Sequence, residues 1–187
     1  DVLFGDYNPA GRLPVTVYRS LDDLPPFDDY HLPGRTYRYF DGLPLYPFGY
    51  GLSYTRFAYR GLRVDAKRFV VGEPVTLTVE VENVGERAGD EVVQVYVRAV
   101  GAPDYAPRHS LQAFRRIHLE PGAAQRVTFT LDGRQFSLVD EDGARWIRPG
   151  KYEIFAGGGQ PGFAETVSAT ITLSGEPAIC THLYGPA

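Results

Sequence analysis

Four histidines, one cysteine and three short runs of acids are the residues whose types could do chemistry in this 187-residue chain. His31, His109, His118 and His182 are scattered, with no pair four residues apart and no cysteine cluster, so their spacing does not describe a zinc site. Cys180 cannot close an internal disulfide and stands in a polar tail, and no G-x-S-x-G turn occurs that would hold a serine nucleophile. Asp22-Asp23, Asp28-Asp29 and Asp140-Glu141-Asp142 lie in turn-like polar stretches. A general acid or base needs burial or a charged neighbour to tune its pKa, so these read as solvated loop acids. Gly157-Gly158-Gly159 follows a strand pattern without opening a helix, which makes it a hairpin loop and not a phosphate cradle. No metal, cofactor or catalytic residue is expected on these grounds.

What remains is a cluster of rings and guanidinium groups: Tyr30, His31, Arg35, Tyr37 and Arg38, with Tyr39 beside them. Flat CH-rich ring faces and fork-shaped donors are what a sugar asks of a protein. The same residues can instead glue two bodies together, with the arginines pairing to acids across the seam. The residues themselves leave both readings open, and any substrate contact here is assigned to Arg35, Tyr37, Arg38, Tyr30 and His31.

These side chains belong to the stretch around which the chain is organised, Gly34 to Phe57, dense in Tyr and Phe and broken every few residues by Pro or Gly. It can be neither a long regular helix nor a central strand. It can hold one shape only with its rings pressed into another surface, since each large aromatic hides on the order of 150–250 Å². It therefore reads as a strap between two bodies. Before it, Leu13 to Tyr18 reads as a short edge strand whose neighbour is expected upstream of Asp1, and Arg19 to Pro33 is polar and turn-rich.

From Tyr59 onward the period changes to two. Val75, Leu77, Val79 and Val81 alternate with Thr76, Thr78, Glu80 and Glu82, and Val167, Ala169, Ile171 and Leu173 alternate with Ser168, Thr170 and Thr172. Leu62–Phe69, Glu91–Arg98, Ala113–Leu119, Val127–Leu131, Phe136–Val139 and Tyr152–Ala156 complete seven or eight strands separated by turn signals. That is the pattern of an antiparallel β-sandwich of about 100–120 residues. The formal charge of −4 and the absence of a basic block argue against nucleic acid as a partner, and no apolar run approaches a membrane span. A chain without methionine that opens on Asp1 is expected to be a processed or excised piece.

Three runs in order, Gly5-Asp6-Tyr7-Asn8-Pro9-Ala10-Gly11-Arg12-Leu13-Pro14-Val15-Thr16, Gly34-Arg35-Thr36-Tyr37-Arg38-Tyr39-Phe40 and Leu45-Tyr46-Pro47-Phe48-Gly49-Tyr50-Gly51-Leu52-Ser53-Tyr54-Thr55, resemble the C-terminal part of glycoside hydrolase family 3. Gly89 to Val97, and Leu111-Gln112-Ala113-Phe114 through Leu119-Glu120-Pro121-Gly122, resemble the fibronectin type III-like domain that ends many of these enzymes. Asp22 to Tyr30 leading into the strap is most similar to the β-xylosidase branch, with β-glucosidases next. The resemblance implies a parent that is a retaining, exo-acting β-glycosidase, whose two reacting carboxyl groups stand about 5–5.5 Å apart. It implies that both lie upstream of Asp1. The expected division is 1–18, a remnant of an α/β sandwich domain; 19–57, the aromatic linker; 58–174, the fibronectin type III-like (immunoglobulin-like) domain; and 175–187, a tail without a reading. The implied partners are the parent's N-terminal catalytic domains, with a β-linked oligosaccharide contact and a second copy of the chain as further possibilities. Localisation is not legible in these residues; the parent is expected to be secreted or periplasmic. The rival reading is an autonomous carbohydrate-binding or adhesive module.

Overall fold

The computed structural model describes residues 1–180, and His182 lies outside them. Among the described residues eleven strands follow one another: β1 (Phe57–Val64), β2 (Arg68–Val70), β3 (Val75–Asn83), β4 (Gly89–Ala99), β5 (Ser110–Leu119), β6 (Ala124–Leu131), β7 (Ser137–Val139), β8 (Arg145–Ile147), β9 (Gly150–Gly157), β10 (Thr166–Ser174) and β11 (Ala178–Ile179). They form a three-stranded sheet in the order β1-β3-β6, a five-stranded sheet in the order β2-β10-β9-β4-β5, and a small sheet β11-β8-β7. All pairings are antiparallel except β2 with β10. No helix among the described residues is long and apolar enough to cross a membrane.

Alternation builds the core. Val75, Leu77, Val79 and Val81 of β3 face Val93, Val95 and Val97 of β4, with Val127, Phe129, Leu131, Ile154 and Ile171 closing the layer. At roughly 25 cal/mol per Å² of apolar surface, each such side chain contributes about 1.5–3 kcal/mol of burial. This is the expected sandwich, with four differences of detail. The opening strand begins at Phe57, inside the segment read as strap, and Arg68–Val70 is a separate strand on the opposite sheet. Phe136 lies in a short 3-10 turn, Gly133–Phe136, and only Ser137–Val139 is extended. Arg145–Ile147 shows no strand pattern because it is three residues long and gains its order from β7 and from β11. The stretch after Leu173, for which there was no reading, supplies β11.

The edge-strand expectation for Leu13–Tyr18 is corrected in its neighbour. The partner is the strap of this same chain: Leu13 N–H donates to Tyr50 O at 2.8 Å, Gly49 N–H to Leu13 O at 2.8 Å, and Val17 N–H to Tyr46 O at 2.9 Å. Val17 and Tyr46 form an isolated antiparallel bridge. The strap itself contains one short helix, α1 (Thr36–Tyr39).

Candidate functional site

The strap covers the outer face of the five-stranded sheet. Alternation along β4 points Gln94 and Tyr96 away from the core, yet both are buried, and Tyr96 fully so. Tyr37 stacks on Phe48 with centroids 4.1 Å apart, and its ring edge meets Tyr96 at 6.1 Å. Tyr96 donates its hydroxyl proton to Gln94 Oε1 at 2.7 Å, while Gln94 Nε2 donates to Gly158 O at 2.8 Å. Gly49, in the left-handed region at φ +77°, sits so close that a Cβ there would meet Gln94 Oε1 at 2.5 Å.

The segment before the strap is locked to the other end of β4. Arg12 Nη2 donates to Glu91 Oε1 at 2.8 Å, and both side chains are almost wholly buried. Val92 N–H donates to the same oxygen at 2.6 Å. Burial pushes the Glu91 carboxyl above its usual range, against the opposing pull of the Arg12 charge. Burial, reinforced by the Glu91 charge, likewise raises the Tyr59 phenol, which faces that carboxylate. Asn8 adds a second tie. Its amide donates to Ala88 O at 3.0 Å, and its carbonyl accepts from Tyr54 N–H at 2.8 Å and Ser53 Oγ at 3.0 Å. Thr55 then donates to the fully buried Asn83 at 2.6 Å. Sequence reasoning did not single out Arg12, Glu91, Asn8 or Asn83. Their only local signals were a charge at the start of an apolar strand and an Asn before Pro.

The five residues expected to touch sugar do not converge. Arg35 turns inward on its own loop, donating to the carbonyls of Pro26 at 3.1 Å, His31 at 3.2 Å and Asp29. Tyr37 is held by its stacking, and its hydroxyl accepts from Leu111 N–H at 3.0 Å. Arg38 is exposed, with its guanidinium 5.9 Å from the Tyr37 ring. Tyr30 and His31 project into solvent, and His31 Nδ1 lies 2.7 Å from Asp29 Oδ1. The structure thus brings Arg35 to the backbone on either side of Tyr30, whose ring stays exposed, and sets Arg38 against Tyr37. The acid runs bond within their own turns: Asp23 accepts from Ser20 N–H in a capping box, and Asp140 accepts from Ala144 N–H at 2.9 Å. Gly157–Gly159 does open the β9–β10 hairpin, and its Gly158 also packs against Glu91 and Tyr59.

A second property follows from where the apolar surface lies. Most large apolar side chains left exposed occur before residue 55, among them Leu3, Phe4, Leu21, Phe27 and Tyr30, each more than 80% exposed. A groove of about 550 Å³ runs between Pro14–Tyr18 and α1. In it Thr36 adopts φ +57°, rare for a β-branched residue, with its N–H donating to the Tyr18 hydroxyl at 2.7 Å.

A fibronectin-like sandwich wearing an aromatic strap on one sheet face, with a short segment pinned beside it, is the architecture these contacts define. Residues 1–54 match the Glycosyl hydrolase family 3 C-terminal domain, and residues 91–160 match the Fibronectin type III-like domain. The chain thus matches the C-terminal part of the glycoside hydrolase family 3 architecture. It is 42% identical over 158 residues to a xylan 1,4-β-xylosidase of Xylanibacter ruminicola, covering 84% of this chain and 18% of that protein. It is 38% identical over 169 residues to a periplasmic β-glucosidase of Salmonella typhimurium, covering 84% and 22%. Among solved structures, β-glucosidase 3B of Thermotoga neapolitana superposes with a TM-score of 0.82 at 31% identity, covering 96% of this chain and 26% of that one. A β-glucosidase of Erythrobacter marinus gives 0.78 at 38%, covering 92% and 23%. The chain therefore spans about a fifth of the length of the curated relatives it matches.

Proposed function

We propose that this chain is the accessory, structural portion of a retaining, exo-acting β-glycosidase, stabilising its catalytic domains, with β-xylosides as the substrate class and β-glucosides second. In this reading residues 1–18 complete an α/β domain, 19–57 are the linker, 58–174 are the fibronectin type III-like domain, and 175–187 are a tail. The nucleophile and the acid–base belong to the parent's other domains, and this chain's task is to hold them to a rigid sandwich. The observation that carries the reading is the pairing of two facts about residues 1–54. They are fixed to the sandwich by the Arg12–Glu91 ion pair, by the Asn8 hydrogen bond to Ala88 and by the close packing of Gly49 on Gln94, and they still hold most of the exposed large apolar side chains. A surface that is both rigid and apolar is a docking face awaiting a partner.

The outer-subsite role for the strap residues is part of the proposal. The exposed ring of Tyr30 and the imidazole of His31 could meet a sugar directly, whereas the hydrogen bonds of Arg35 and Tyr37 suit them to positioning. The purified chain, assayed on aryl β-xyloside and aryl β-glucoside, is expected to turn over neither. Turnover by protein free of host glycosidases would overturn the reading. Retention on insoluble xylan or cellulose would favour an autonomous carbohydrate-binding module instead.

A further inference from the structure

A second cavity, about 380 Å³, shares Arg38 and Tyr39 of α1 with the apolar groove and lies between the strap and the sandwich. Arg38 of the strap, Arg134 of the turn before β7 and Arg145 of β8 all line it, and none of the described lining residues is an acid. Tyr39 and Tyr105 add ring faces, and Ser110 and Gln112 add neutral hydrogen-bonding groups.

The walls are fixed to each other. Arg108 N–H donates to Arg38 O at 2.7 Å, and Leu111 N–H donates to the Tyr37 hydroxyl at 3.0 Å, which ties the β4–β5 loop and the start of β5 to α1. On the opposite wall Arg145 Nη1 donates to Ser137 Oγ at 3.1 Å, and Ser137 Oγ donates to Arg134 O at 2.6 Å. Gln112 reaches the cavity through a departure from regular pairing. Val95 opposes Ala113 and Tyr96 opposes Leu111, so Gln112 is the extra residue of a β-bulge. Bulges of this kind re-aim a side chain and gather next to functional sites.

We propose that this cavity is a binding site for a carboxylated monosaccharide unit, a hexuronate. Arginine presents paired N–H donors that match a carboxylate bidentately, and such charge-assisted bonds are roughly twice as strong as neutral ones. The volume falls within the range of about 300–1,000 Å³ usual for small-ligand sites. The tyrosine faces suit a sugar ring, and Gln112 and Ser110 suit its hydroxyls. The anion preference stands on the cavity alone; the choice of a sugar acid rests on the glycosidase reading above.

The test is calorimetric titration of the chain with D-glucuronate, with D-xylose and D-glucose as neutral sugars and inorganic phosphate as a plain anion. The expected result is saturable binding of glucuronate that weakens with added salt, and no binding of either neutral sugar. Arg145→Gln and Arg38→Gln are each expected to weaken it about tenfold, the effect of losing one charge-assisted hydrogen bond. Gln112→Ala is expected to weaken it less, with unchanged thermal unfolding confirming that each variant is folded. No glucuronate binding, or glucuronate binding untouched by both arginine variants, overturns the site. Phosphate bound as tightly as glucuronate overturns the sugar-acid assignment and leaves the glycosidase reading standing. Xylosidase activity or xylan retention of the chain itself would instead strike the accessory-portion reading without moving the anion titration.

Discussion

Arg12 and Glu91, seventy-nine residues apart, meet at 2.8 Å with 12% and 5% of their side chains exposed. A buried ion pair gains little over a well-packed apolar pair, but removing one partner strands the other charge. Arg12→Ala is therefore expected to lower stability by about 3 kcal/mol, measured by denaturant unfolding. It is also expected to change the pH dependence. Burial raises the folded pKa of Glu91, so its contribution is most favourable below the ordinary glutamate range and declines as pH rises through the folded value. Without Arg12 to oppose that shift, the decline should be steeper and reach higher pH. An unaltered profile would show that the pair is not coupled.

His118 and Asp90, opposite one another on β5 and β4, supply a surface counterpart. His118 Nδ1 is 2.5 Å from Asp90 Oδ1, and Arg116 pairs with the other oxygen. The hydrogen bond from His118, then that from Arg116, holds the Asp90 carboxyl below its usual range, and Asp90 raises His118 in return. The Asp90 contribution is present above the unfolded carboxylate value and lost as pH falls through the lowered one. The His118 contribution is present below the unfolded imidazole value and lost as pH rises through the raised one. Titration of His118 followed by NMR should give a pKa above about 6.5, the ordinary value, and Asp90→Asn should bring it back.

Gly51 and Gly11 make a matched pair of substitutions. A Cβ on Gly51 would fall well inside contact distance of the Gly11 carbonyl oxygen, which is backbone and cannot swing aside, whereas a Cβ on Gly11 meets nothing within 4 Å. Gly51→Ala is expected to cost about 1–3 kcal/mol and to loosen the strap from Leu13, seen as faster hydrogen exchange at Leu13 and Gly49. Gly11→Ala should be close to neutral. Equal effects would mean the strap does not depend on that close approach.

Thr36 holds a backbone conformation that costs on the order of 1–3 kcal/mol for a residue with a Cβ. Thr36→Gly is expected to raise the melting temperature, since glycine enters that region freely. A lower melting temperature would mean that the Thr36 side chain contributes more than the strain removes.

The sandwich was legible because its signal is local. Alternation along β3 and β10 marks which side of each strand is dry, and that pattern survives in the structure residue for residue over Val75–Val81. What lay on the second face of β4 was not legible. Gln94 and Tyr96 look like the polar side of an amphipathic strand, and only the strap, folding back from Phe48 and Gly49, makes them buried. The same holds for β8, whose Arg145-Trp146-Ile147 has no period of its own, and for Glu91, which opens an apolar strand pattern and shows a partner only when Arg12 is set beside it. Among the candidate sugar contacts, residue type identified groups able to bind. It could not tell that Arg35 spends its donors on neighbouring carbonyls, because backbone partners leave no mark in the side-chain sequence.

In the proposed role, residues 1–54 form one half of an interface. Hydrogen exchange of this chain alone, compared with the same residues inside a longer gene product that contains them, reports on that interface residue by residue. The predicted result is slower exchange, on adding the rest of the protein, around Leu3–Phe4, Val15–Tyr18 and Phe27–Leu32, with β3 and β6 unchanged. Equal exchange at those positions in both proteins, or protection confined to the sandwich, would contradict it.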